Sequence, residues 1–147
     1  MSDILQHFPE YFSHHMMLVM LVVVLVLVLV GNESARFFRG YRELTPSGLT
    51  LLINRETPLV IDLSSIQDYD KGHIPGARHV AMSQFDPENK ELAKARELAI
   101  AVYCKNGQSS SQAASRLVKA GFKHVYWLGG GLVSWKQADL PTSRGNR

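Results

Sequence analysis

The chain has 147 residues and a mass of 16.4 kDa, with 46% hydrophobic, 20% charged and 9% aromatic residues and a formal net charge of +3. That length holds one compact domain of about 100–150 residues and excludes two, while the hydrophobic content excludes a wholly disordered or fibrous chain. The single cysteine, Cys104, excludes an intramolecular disulfide and any CxxC redox or zinc site, and basic residues with no aromatic interleaving give nucleic-acid binding no support.

Residues 1–15 hold no Lys or Arg and precede an unbroken run of fifteen Met, Leu and Val residues that Met16 opens and Val30 closes. At about 1.5 Å per residue the run makes about 22 Å of helix, short of the roughly 30 Å hydrocarbon slab. The flanks complete the span: Gly31 extends it, Tyr11, Phe12, Phe37 and Phe38 border it, and His14 and His15 reach the headgroups. A transmembrane helix is expected over 16–31, with Met16, Met17 and Met20 packing against lipid. No basic n-region precedes the run and no small-x-small site follows Val30, so retention as an anchor is expected rather than cleavage.

All sixteen Lys and Arg residues follow the run, and Arg36, Arg39 and Arg42 lie immediately beyond it, while Asp3 and Glu10 precede it. The positive-inside rule then puts residues 1–15 outside and the C-terminal domain in the cytoplasm, across an inner membrane crossed once. From residue 32 onward sixteen basic residues face eleven acidic ones, a net +5. Residues 32–42 read as a basic juxtamembrane stem suited to anionic headgroups.

The domain proper is expected over 43–140, with a tail at 141–147. Thr45 reads as an N-cap before Pro46, with Leu49, Leu52 and Ile53 on one helical face. Residues 58–63 read as a buried strand, Ser64 or Ser65 as the cap of a short helix through Tyr69, 78–81 as a short strand, and 88–97 as a charged helical or irregular segment. Residues 98–103 form a second apolar strand running directly into Cys104. A helix follows with Ala113, Ala114, Leu117 and Val118 at helical spacing and Gly121 as its stop. Residues 125–128 are a third strand, and Gly129, Gly130 and Gly131 open a last helix carrying Leu132, Val133 and Trp135, closed by Pro141. Strands alternating with helices predict an α/β fold with a central parallel sheet flanked by helices, whose sites form at the carboxyl ends of strands.

Cys104 sits at such an end, in a Gly-containing loop entering a helix N-terminus. Backbone N–H groups and the positive end of the helix dipole there favour a thiolate. Lys105 adds a cation, and Asn106, Gly107, Gln108, Ser109 and Ser110 complete a cradle for a negatively charged, sulfur-bearing group. A buried cysteine serving as a small hydrophobe is the competing reading.

Three segments in order carry a resemblance to the rhodanese-like family over most of the domain. The first runs from Asp62, Leu63 and Ser64 through Tyr69 to the turn Lys71-Gly72-His73-Ile74-Pro75-Gly76-Ala77-Arg78-His79-Val80. The second is Val102-Tyr103-Cys104 with the six-residue loop to Ser109. The third is Leu128-Gly129-Gly130-Gly131-Leu132 with Trp135. The resemblance implies a membrane-anchored sulfurtransferase in which Cys104 takes a sulfane sulfur from a small donor, carries it as a persulfide and passes it to a thiol or other nucleophilic acceptor, with neither metal nor organic cofactor. The alternative is a rhodanese-like binding module for a membrane-protein partner, in which Cys104 is incidental.

The chain departs from the family pattern at three places. Ser64 stands where an Arg is common, so Asp62 must find another partner; Asp68 replaces a Glu; and Ser109 stands where Arg or Thr is frequent, leaving Lys105 as the main side-chain cation. His73 with Asp62 is read as fixing a turn rather than as a catalytic base, and His79 and His124 as half-buried side chains. A cysteine phosphatase would place an Arg clamp six residues after Cys104, where this chain has Ser110.

Overall fold

The computed structural model describes Gln6, His7, Pro9 and residues 14–145, so Tyr11 and Phe12, most of the 1–15 segment and the end of the 141–147 tail lie outside the described residues. The chain divides into two compact units, residues 1–38 and 39–147.

In the first unit, helix α1 (Met16–Phe37) is 22 residues long. Apart from half-buried Val19, its Met, Leu and Val side chains are exposed on every side, and a helix apolar all round needs an apolar surrounding. Among the described residues one helix is long and apolar enough to cross a membrane, over Met16–Ala35, 20 residues. It outlasts the expected 16–31 because Glu33, Ala35 and Arg36 favour helix and no Pro follows to stop it. The expected stem is therefore helical in its first half.

The second unit is a five-stranded, wholly parallel sheet in the order β1-β5-β4-β2-β3. Its elements run β1 (Tyr41–Leu44), α2 (Pro46–Glu56), β2 (Leu59–Asp62), α3 (Ile66–Lys71), β3 (Arg78–His79), α4 (Lys90–Ala93), β4 (Ala99–Tyr103), α5 (Gln108–Lys119), β5 (His124–Leu128) and α6 (Gly131–Gln137). The strand expected over 78–81 is shorter, because Val80 and Ala81 turn into a short 3-10 segment at Met82–Gln84.

β1 was not foreseen, and it takes Tyr41 and Arg42 out of the expected stem. Tyr-Arg-Glu-Leu has no apolar alternation; it becomes a strand by pairing with β5, Tyr41 opposite Val125 and Leu44 opposite Leu128. As an edge strand it has no need of two apolar faces. The cap at Thr45 is as expected: its Oγ1 accepts the Gly48 N–H at 3.1 Å, with Pro46 in the first turn of α2. Ser65, rather than Ser64, caps α3 by accepting the Asp68 N–H at 3.2 Å.

β4 lies at the centre, and all five of its residues are buried. Alternate side chains serve two cores. Ile100, Val102 and Cys104 join Ile61, Ala113, Ala114, Leu117 and Val125 under α5, while Ala99, Ala101 and Tyr103 join Leu49, Leu52, Leu128, Leu132 and Trp135 under α2 and α6. Burial on this scale stabilises by about 1.5–3 kcal/mol for each large aliphatic side chain. It also fixes β4 as the rigid base from which Cys104 emerges.

Candidate active site

Cys104 leaves β4 on the α5 face and is 5% exposed, at the edge of that core. Its Sγ, however, faces the loop: it accepts the Gly107 N–H at 3.0 Å and lies 3.7 Å from both Asn106 Oδ1 and Ser110 Oγ. Gly107 stands immediately before α5 at φ +94°, and this left-handed turn is what aims its N–H at the sulfur. Asn106 Oδ1 also accepts the Gln108 N–H at 3.2 Å. Fully buried Ser110 donates its hydroxyl to the Gly107 carbonyl at 2.9 Å and so pins the turn.

The loop rests on the glycine turn after β5. A side-chain carbon at Gly107 would meet Gly130 N at 3.2 Å and the Trp127 ring at 3.4 Å. One at Gly131 (φ +62°) would collide with the Cys104 carbonyl oxygen and stand 2.7 Å from that of Lys105. This close approach lets the Leu132 N–H reach the Cys104 carbonyl at 2.9 Å and the Val133 N–H reach that of Lys105 at 3.1 Å. Trp127, Gly130 and Gly131 are thus supports that reading the cysteine loop alone misses; the run of three glycines was the available signal.

The expected loop residues are brought together, but in different roles. Gly107 touches the sulfur, Asn106 and Ser110 flank it, and Gln108 and Ser109 lie in the first turn of α5. Lys105 is exposed, and its Nζ lies 4.0 Å from Asp68 Oδ1 on α3. Asp68 is itself held, because its Oδ2 accepts the Ser65 hydroxyl at 3.0 Å.

At the end of β2, fully buried Asp62 finds its substitute partner in Ser64. Its Oδ1 accepts the Ser64 N–H at 2.8 Å and the Ser64 hydroxyl as well. Buried His73 stacks on Tyr69, centroids 3.8 Å apart and planes 8° off parallel, and its Nδ1–H donates to the Tyr69 carbonyl at 2.9 Å. Such a clamp fixes a turn, as expected for His73. The Tyr103 hydroxyl accepts the Ile74 N–H at 3.0 Å, and the Tyr69 hydroxyl donates to the Ala77 carbonyl at 2.9 Å. Burial first, and the Asp62 charge second, push both phenols above their ordinary range. His79 is half-buried, with its Nε2–H on the Ser64 carbonyl at 2.7 Å. His124 is exposed rather than half-buried, because it opens β5 at the rim of the sheet.

The same fold occurs in known proteins. Residues 45–138 match the family model described as a rhodanese-like domain. The chain belongs to the rhodanese-like domain family. Among its relatives, the thiosulfate sulfurtransferase GlpE of Coxiella burnetii is 33% identical over 107 residues, 73% of this chain and 97% of that protein. The uncharacterized protein YibN of Escherichia coli K12 is 35% identical over 103 residues, 69% of this chain and 72% of that one. The crystal structure of a rhodanese-related protein from Thermoplasma volcanium superposes with a TM-score of 0.62 at 23% identity, over 71% of this chain and all (100%) of that chain, a likeness of fold. The expected α/β architecture of a rhodanese-like domain is the one observed.

Proposed function

We propose that this rhodanese-like domain is a sulfurtransferase that carries sulfane sulfur on Cys104. The observation that carries the reading is the Gly107 N–H held 3.0 Å from Sγ at the head of α5. An amide and a helix N-terminus aimed at one sulfur stabilise negative charge there, whether on the thiolate or on the outer sulfur of a persulfide. With thiosulfate, the donor in the name of the Coxiella relative, the Cys104 thiolate attacks the sulfane sulfur. A new S–S bond forms, the donor's S–S bond breaks, and sulfite leaves with its electron pair. A thiolate acceptor then attacks the outer sulfur of the Cys104 persulfide, leaves as the acceptor's own persulfide and restores the Cys104 thiolate. The Gly107 amide, with the N-terminus of α5 behind it, is the preorganised donor to the transferred sulfur.

In this reading α1 anchors the chain in the cytoplasmic membrane with residues 1–15 outside and the domain in the cytoplasm, the orientation its one-sided Lys and Arg distribution favours. Full-length chain in a bilayer, treated with a sulfane donor, gains one sulfur atom, about 32 Da by intact mass, reversed by dithiothreitol and absent from Cys104→Ala. The 5% exposure of Cys104 is the observation favouring a binding module. No gain with any donor, or a gain that survives Cys104→Ala, selects that module.

A further inference from the structure

Residues 104–110 contain one cationic side chain, Lys105, and it faces an acidic side chain on α3. Asp68 Oδ1 stands 4.0 Å from Lys105 Nζ, and the capping hydroxyl of Ser65 holds the carboxylate through its other oxygen at 3.0 Å. The two side chains are 69% and 33% exposed, so the pair lies at the surface, where it adds little to stability. Arg116, on α5, does not replace Lys105: its Nη2 donates to the Phe85 carbonyl at 3.0 Å and its guanidinium lies over the Phe85 ring, 5.3 Å from the centroid.

We infer that Asp68 is a positioning residue that cancels the Lys105 charge and tunes the site toward sulfane donors of low negative charge, away from dianions such as thiosulfate. The inference rests on the sulfurtransferase reading. Thiosulfate and methanethiosulfonate separate charge from chemistry, because both present a terminal sulfane sulfur on an oxidised sulfur, the first as a dianion and the second as a monoanion. Attack by the Cys104 thiolate on methanethiosulfonate forms the same persulfide, breaks the corresponding S–S bond and releases methanesulfinate.

The test measures persulfide loading of the full chain in phosphatidylcholine bilayers, which add no net charge. Asp68→Asn, which keeps an acceptor for Ser65, raises kcat/KM by on the order of threefold per unit of donor charge at low salt, hence about tenfold for thiosulfate and about threefold for methanethiosulfonate. Both gains shrink at about 0.5 M salt. Lys105→Gln moves the ratio of the two donors the opposite way, the double variant returns it near wild type, and Asp68→Glu preserves it. An unchanged donor ratio in Asp68→Asn, or one indifferent to salt, overturns the charge cancellation while loading itself upholds the sulfurtransferase. Failure of both donors to load any variant overturns both.

Discussion

β2 and β4 are neighbours in one parallel sheet, and each delivers a buried polar side chain at its carboxyl end, Asp62 from β2 and Cys104 just past β4. Asp62 turns back on its own chain, and the groups around it pair locally, Ser64 with Asp62, His73 with Tyr69 and the Ile74 N–H with Tyr103, while Asp62 Oδ2 and His73 Nε2 are buried without a hydrogen-bond partner among the described residues. Cys104 instead faces a loop whose next residue, Lys105, is exposed. The same position at the carboxyl end of a strand thus leaves Asp62 among buried side chains of its own turn and sets Cys104 against the Gly107 amide of an open loop. Burial of a polar group does not by itself mark chemistry; what the group faces does.

The largest effect that separates the two ends is expected from Gly131→Ala. The added carbon drives into the Cys104 and Lys105 carbonyls, and a loop misplaced by about 1 Å loses about 100-fold in loading rate. Time-resolved intact mass checks this, and a near-normal rate would mean that the cradle does not need its glycine support.

Tyr103→Phe acts on the other end. It strips the buried Ile74 N–H of its acceptor and is expected to cost about 1–3 kcal/mol in urea unfolding, with a loading rate within about twofold of wild type. A loss of loading as large as that of Gly131→Ala would erase the division between the two ends.

A last effect is the response to alkali. The folded pKa values of Tyr103 and Tyr69 lie above the ordinary 10.0, so above about pH 10 the unfolded chain releases these protons first. Their stabilising contribution is whole below that pH and falls as pH rises beyond it, by about 1.4 kcal/mol per pH unit for each retained proton. Urea midpoints taken from pH 9 to 11, approximate limits set by the phenol range, are expected to hold and then decline, less steeply in Tyr103→Phe. A flat profile would place these phenols in contact with solvent.

Much of this was legible in the chain because the signals are local. Thr45 before Pro46, the apolar 98–103 segment and the spacing of Ala113, Ala114 and Leu117 each state their own structure through capping or periodicity. The placement of Cys104 at a strand end, before a glycine loop and a helix, was legible in the same way. β1 was not legible, because Tyr41-Arg42-Glu43-Leu44 carries no strand signal of its own and pairs only once β5 is beside it. The exposure of His124 likewise follows from where β5 begins at the sheet rim.

By itself, the sequence determined the apolar helix, the alternation of strands and helices and the sulfur at the head of α5, since hydrophobic period, caps and turn residues act between near neighbours. Only the tertiary structure decided that Ser64 answers Asp62, that Gly131 lies against the Cys104 carbonyl, and that Asp68 stands 4.0 Å from Lys105. Except for Asp62 and Ser64, two residues apart, these partners are far apart in the chain, and contacts of that kind exist only after the sheet has brought its strand ends together.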